Sequence, residues 1–180
     1  MMGKAMRVEP VMLEITRSLV EKLPEANAII FFGSLVMAFA DRFSDYDVLV
    51  LLPSGLEGER RRAIEEELKR GFPSIKLDLV FGSERELLAG LPYEPYWRFW
   101  LESGVVTWGE RPPVKEYPPL AKGALDSHLN IIKSQIDLAK VLNDPNQSAR
   151  CCLSALKLLL LVEEALKNEY NSHKVQKALA

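Results

Sequence analysis

Asp45 and Asp47 stand one residue apart at the head of an apolar run, DYDVLVLL, and Asp78 interrupts a second apolar run, IKLDLVF. Side chains alternate faces along a strand, so Asp45 and Asp47 point to the same side. Two carboxylates that close repel each other, and burial raises the cost of keeping both charged. A divalent cation between them removes both penalties. An oxygen-only donor set suits Mg²⁺ or Mn²⁺ rather than Zn²⁺. A bare Asp-x-Asp is common in solvated loops, so the pair alone says little. Asp78 adds to it, because a carboxylate inside an apolar strand needs a partner or an ion. It reaches the same site if its strand pairs beside Asp45–Leu52.

Gly33 and Ser34 follow the run AIIFF and precede another apolar stretch. Glycine lets the backbone approach a ligand closely. A helix starting there offers unpaired N–H groups and a partial positive charge to a phosphate, and the Ser34 hydroxyl can donate to a phosphate oxygen. On its own Gly-Ser is only a tight turn. With the three acids it describes a site for a metal-bound nucleoside triphosphate. The carboxylates would hold two Mg²⁺ ions, one on the triphosphate and one lowering the pKa of an attacking hydroxyl. Asp78 is then the candidate general base.

The elements that must position these residues can be read from periodicity. Glu9–Leu23 carries apolar residues at helical spacing and is stopped by Pro24. Ala28–Phe32 is a buried strand, Leu35–Ala40 a short helix, and Asp45–Leu52 a second strand closed by Pro53, Ser54 and Gly55. Glu57–Arg70 is a charged amphipathic helix with only Ala63, Ile64 and Leu68 to bury; Glu65–Glu67 offset Arg60–Arg62. Ile75–Phe81 is a third strand, Glu84–Leu91 and Tyr93–Ser103 are helices, and Gly104–Trp108 is a fourth strand. Arg111–Leu120 holds four of the chain's eleven prolines and reads as a semi-rigid linker. Ala121–Asn143 and Ala149–Tyr170 are long helical patterns parted by Asp144, Pro145 and Asn146, and Ser172 is placed to cap a third. The expected architecture is α/β (α+β): a small mixed sheet flanked by helices over residues 1–110, a linker at 111–120, and a helical hairpin or partial bundle over 121–180.

Composition narrows the function classes. With 180 residues and 48% hydrophobic content the chain can build a core. A formal net charge of −2 argues against a protein that coats nucleic acid. The longest apolar run, Cys151–Val162, is interrupted by Ser154 and Lys157 and falls short of the roughly 20 residues of a membrane span. Cys151 and Cys152 are adjacent, which disfavours a disulfide; they are expected as buried helix residues in a reducing cytoplasm.

Gly33-Ser34, ten intervening residues and then Asp45-Tyr46-Asp47 resembles the signature of the minimal nucleotidyltransferases of the DNA polymerase β-like superfamily. FFGSLVMAFADRFSDYDVLVLL resembles that family along its length, including Ser44 before the first aspartate. Asp78 falls where the family places its third carboxylate, and GVVTWG (Gly104–Gly109) resembles the closing strand. The resemblance covers roughly Met12–Glu110. It implies transfer of a nucleoside monophosphate, AMP from ATP above all, to an acceptor hydroxyl, with Mg²⁺ or Mn²⁺ held by Asp45, Asp47 and Asp78. It implies nucleotide contacts from Gly33, Ser34 and Ser44.

The sequence departs from the family pattern at Val36, Met37 and Ala38, where a small residue, an arginine and a glycine are usual; Arg42 is the nearest replacement for the arginine. That departure motivates an alternative, a catalytically impaired nucleotide-binding or interaction module. The helical tail resembles, more weakly, the HEPN-type domains that accompany minimal nucleotidyltransferases, fused or as a separate partner; the nucleotidyltransferase resemblance itself implies as acceptor either a hydroxyl on such a HEPN-type protein partner or a small aminoglycoside-like molecule. The tail lacks the arginine–histidine spacing of HEPN ribonucleases. The apolar residues Leu153, Leu156, Leu159, Leu160 and Val162 exceed one helical stripe, which favours a homo-oligomer formed through these helices.

The cluster Tyr93, Tyr96, Trp97, Phe99 and Trp100 could stack on a base, but an aromatic helix packed on the sheet explains it more simply. His128 and His173 are expected at the surface or as caps. Lys76 shares the strand with Asp78 and could balance its charge or meet a phosphate.

Overall fold

A computed structural model of the chain describes residues 8–36, 44–114, 118–121 and 123–167. Seven helices and four strands occur among them: α1 (Pro10–Lys22), β1 (Ala28–Phe32), α2 (Gly33–Val36), β2 (Tyr46–Leu52), α3 (Gly58–Gly71), β3 (Leu77–Ser83), α4 (Glu84–Gly90), α5 (Pro95–Ser103), β4 (Val105–Gly109), α6 (Ala124–Val141) and α7 (Pro145–Leu166). The strands form one mixed sheet in the order β3-β2-β1-β4. β1 runs antiparallel to β2 and β4, and β2 runs parallel to β3. The antiparallel pairs need only short connections, whereas the parallel pair needs a crossover, which α3 supplies.

Pro10 starts α1 because the first helical position has no intrahelical use for an N–H. The buried stripe Met12, Ile15, Thr16 and Leu19 keeps a spacing of three to four residues and faces the sheet core. In α3 only Ile64 and Leu68 are buried, one turn apart, as expected of a helix with a single apolar stripe. On the sheet, Ile29 and Phe31 of β1, Val48, Val50 and Leu52 of β2, and Leu79 of β3 join the same core. Thr16 anchors α1 to β4 through a 2.6 Å hydroxyl contact with Thr107.

The chain divides into two compact units, one taking in the chain through Leu88 with Ser103–Pro113, the other Ala89–Glu102 with the chain from Val114 onward. In the second unit α6 and α7 pack on each other, and Arg98 of α5 is fully buried, donating from Nε to Leu91 O at 3.3 Å and from its guanidinium to Pro118 O.

Several local expectations need correction. The short helix after β1 begins at Gly33, not Leu35, and its expected end at Ala40 lies outside the described residues. Strand β2 begins at Tyr46, leaving Asp45 just before it. α7 begins at Pro145 rather than Ala149, because the Asp144 side chain accepts from the Asn146 N–H and caps the helix while proline takes its first turn. Cys152 is exposed and Cys151 half-buried, so neither is a buried core residue. His128 is buried: its Nε2 lies 2.9 Å from Tyr93 O, and its ring meets Tyr96 edge-on. Tyr96 belongs to the second unit, where this contact and the buried Phe99 account for part of the aromatic cluster. The expected helix from Ser172, and His173, lie outside the described residues.

Candidate active site

The site is built at one end of the parallel pair. In the β2–β3 register Asp47 is the partner of Asp78, and in the β1–β2 register it is the partner of Phe32. Tyr46, Val48 and Val50 turn into the core beneath α1 and α3, so alternation puts Asp47 on the opposite face. Asp78 shares that face, because Leu77 and Leu79 pack with the core. The chain leaves β1 at Phe32 and turns at once through Gly33, which has φ of +78°, a conformation that favours glycine. A Cβ added there would lie 1.7 Å from Oδ2 of Asp47. The missing side chain is therefore what brings the backbone of the turn against the carboxylate.

Burial is the largest influence on Asp47, followed by the negative charges of Asp78 and then Asp45; together they push its carboxyl up to about 7. The Ser34 backbone N–H, hydrogen-bonded to it, pulls in the opposite direction but does not prevail. Asp45 is divided in character. Its side chain is 45% exposed, yet Oδ1 is shielded from solvent and accepts no hydrogen bond among the described residues. Lys76 Nζ stands 3.9 Å from that oxygen, beyond hydrogen-bond distance, so Lys76 faces Asp45 as a charge rather than as a donor. Tyr46, between the two acids, turns to the other face and donates its hydroxyl to Glu9 at 2.7 Å; burial first, and that acceptor second, push it up to about 12.

Three features of the donor set bear on a hard divalent cation. Asp45 presents a shielded, unsatisfied oxygen, Asp47 carries a charge penalty that a cation would cancel, and Gly33 leaves space against the carboxylate. All three fit such an ion. Among the described residues no three His, Cys, Asp or Glu side chains are gathered tightly enough to enclose one, so the acids neighbour each other without forming a closed cage.

Of the residues read from sequence, the fold brings together Gly33, Ser34, Asp45, Asp47 and Asp78. Ser44 is half-buried immediately before Asp45. Arg42, Met37 and Ala38 lie outside the described residues, so the replacement of the family arginine by Arg42 falls there too. Val36, the first departure, is buried in the core. Sequence reasoning missed the buried Arg98; a lone arginine in the helix pattern PYWRFWLES gives no signal of its burial. It also missed Tyr46–Glu9, a contact between residues remote in sequence.

Among curated proteins none matches the chain significantly. Solved structures that resemble it include a toxin–antitoxin crystallised with AMP-PNP (19% identity, 71% of this chain and 94% of that chain, TM-score 0.43). A mutant toxin–antitoxin MntA–HpeT follows (18%, 71% and 94%, 0.42). A third is a tri-AMPylated Shewanella oneidensis HEPN toxin in complex with MNT antitoxin (20%, 67% and 77%, 0.38). No helix among the described residues is long and apolar enough to cross a membrane. The family model of the nucleotidyltransferase domain matches residues 12–99, the stretch that contains β1 through β3 and all three acids, and the chain thus carries a nucleotidyltransferase domain.

Proposed function

We propose that this domain moves a nucleoside monophosphate, AMP from ATP, to an acceptor hydroxyl. The observation that carries the reading is the placement of Asp47, paired with Asp78 across the parallel strands and set against the side-chain-free turn at Gly33. A half-buried carboxyl pushed to about 7 by its partial burial and then by Asp78 and Asp45, against a turn with no side chain, is costly to the apo protein and useful to a cation-bound one. Asp45, Asp47 and Asp78 would hold Mg²⁺ or Mn²⁺, which supplies charge neutralisation for the triphosphate and for the reacting phosphorus.

The chain's own residues do the rest. Gly33 lets the triphosphate approach the backbone of the turn. Asp78, exposed on the edge strand, takes the proton of the acceptor hydroxyl. The acceptor oxygen forms a bond to the α-phosphorus, the bond from that phosphorus to the bridging oxygen breaks, and pyrophosphate leaves with the electron pair. The acceptor is a hydroxyl on a small molecule or on a protein, a HEPN-type partner among the candidates.

Incubation with α-labelled ATP, Mg²⁺ and hydroxyl acceptors, including tyrosine-bearing proteins, tests this. Transfer of label that disappears in Asp47→Asn and Asp78→Asn is the expected result. Absence of transfer with every nucleoside triphosphate, together with calorimetric ATP binding indifferent to Asp47→Asn, would overturn it.

A further inference from the structure

We infer that the outer side of β3 carries a subsite for an anionic group on the acceptor, with Lys69 as its cationic contact. The inference rests on the nucleotidyltransferase reading and deepens it by naming the acceptor class: a hydroxyl compound bearing a phosphate or carboxylate. A cavity of about 150 Å³ is lined by Arg61, Glu65 and Lys69 of α3 and by Leu77, Asp78 and Leu79 of β3. Asp78 thus belongs both to the acid cluster and to this cavity. β3 is an edge strand, so no neighbouring strand separates the face bearing Asp78 from the side bearing the α3 residues.

The three α3 residues are spaced four apart and share one helix face. Their charges are not equivalent. Arg61 is committed: Nε donates to Glu65 at 2.8 Å, its guanidinium reaches Leu79 O at 3.5 Å, and its Cζ lies 5.6 Å from the centroid of the Phe81 ring. Glu65 is taken up by Arg61. Lys69 forms no ion pair among the described residues and is exposed at the cavity wall. With Glu65 compensating Arg61, the lining keeps one cation from α3, Lys69, and one carboxylate from β3, Asp78, so it offers an acceptor one positive and one negative group. An acceptor that reaches around the strand edge can set its hydroxyl at Asp78 and its anionic group at Lys69. A neutral acceptor finds no matching group, and a cationic one meets Lys69 directly.

Two measurements test this on the full chain. In the first, ¹⁵N-labelled protein without nucleotide is titrated with inorganic phosphate and, separately, acetate, at constant ionic strength. Saturable amide shifts at Lys69, Leu77 and Leu79, lost in Lys69→Gln, are expected; phosphate alone or acetate alone would identify which anion the subsite takes. Shifts absent from this region, or unchanged in Lys69→Gln, overturn the inference whether or not the protein turns over.

In the second, transfer from ATP to glycerol and to glycerol 3-phosphate is compared. The parent should favour the phosphorylated acceptor by roughly fivefold in kcat/KM. Lys69→Gln should erase that preference and Lys69→Glu reverse it, with KM for ATP unchanged. Equal use of both acceptors, or a preference that survives Lys69→Glu, sinks the subsite and leaves the nucleotidyltransferase reading standing. No transfer to any acceptor counts against that reading, and the phosphate titration then decides the subsite alone.

Discussion

Oδ2 of Asp47 occupies the space that a side chain at Gly33 would need, 1.7 Å from the ideal Cβ position. The turn and the acid are consequently one feature. Replacing Gly33 by alanine strains the backbone, since positive φ costs an L-residue about 1–2 kcal/mol, and also displaces the carboxylate. Gly33→Ala is expected to destabilise the protein by about 2–4 kcal/mol in urea denaturation and to weaken Mg²⁺–ATP binding. In an Asp47→Ala background the clash with the carboxylate is gone, leaving the backbone strain and a 3.1 Å approach to the remaining Cβ of residue 47, so the same substitution should cost less. Equal costs in the two backgrounds would show that the side chains do not compete.

Protonation of Asp47 sets a pH signature. Its folded carboxyl sits near 7, above the ordinary 3.8. A raised folded value means the folded state holds the proton more tightly, so its stabilisation is complete below about 3.8 and is lost as pH rises through about 7. Asp47→Asn keeps the shape and never ionises. The stability difference favouring the variant should therefore grow between pH 4 and 7 and level off above, as read by denaturation at each pH. A difference that does not change with pH would remove the carboxyl from this role.

Cation binding runs the same linkage in reverse. Because a metal ligand must shed its proton, Mn²⁺ binding should release protons below pH 7 and tighten as pH approaches that value. Calorimetry in buffers of different ionisation enthalpy would count the protons. Chelator treatment should return the protein to its lower stability at pH 8. Proton-independent binding would place the ion elsewhere.

Asp78 is exposed, so its loss should cost the fold little. Asp78→Asn is expected to lower transfer by about 10²–10⁴-fold, the usual span for a general base, while shifting thermal stability marginally. It should also bring the Asp47 carboxyl down, because Asp78 is the largest electrostatic cause of its rise. Carboxyl NMR resonances of Asp47 in the two proteins would show that shift. An Asp78→Asn variant with parental turnover would end the assignment.

How much of this was legible in the sequence follows from which interactions are local. Alternation within DYDVLVLL and IKLDLVF gave the strand faces, and the pairing of Asp47 with Asp78 followed once β3 lay parallel beside β2. Helical stripes in α1 and α3 were visible because only one face is apolar. What was hidden depended on contacts across the chain. His128 is polar by type, and its burial against Tyr93 and Tyr96 arises from α6 packing near a segment some thirty residues earlier. The start of α7 is hidden in the sequence because Asp-Pro-Asn reads equally as a loop or as a capped helix start, and only the Asp144–Asn146 hydrogen bond distinguishes them. Lys69 carries no signal in a helix rich in both charges; its relevance came from the cavity it shares with Asp78.

Arg98 makes the sharpest stability prediction for the second unit. Its guanidinium is fully buried and serves two backbone carbonyls, Leu91 O before it and Pro118 O after it, so it ties α5 to the segment leading into α6. Ala121 N–H, which donates to Pro92 O at 2.8 Å, closes the same junction. Removing the guanidinium leaves both carbonyls without this charged donor, at about 1–3 kcal/mol each. Arg98→Leu is therefore expected to cost about 3–5 kcal/mol in urea denaturation and to speed hydrogen exchange at Ala121. Arg98→Lys should recover little, because one ammonium lacks the planar fork that spans two acceptors. A loss under about 1 kcal/mol, or full rescue by lysine, would mean that burial of the arginine stem, and not its hydrogen bonding, holds this junction together.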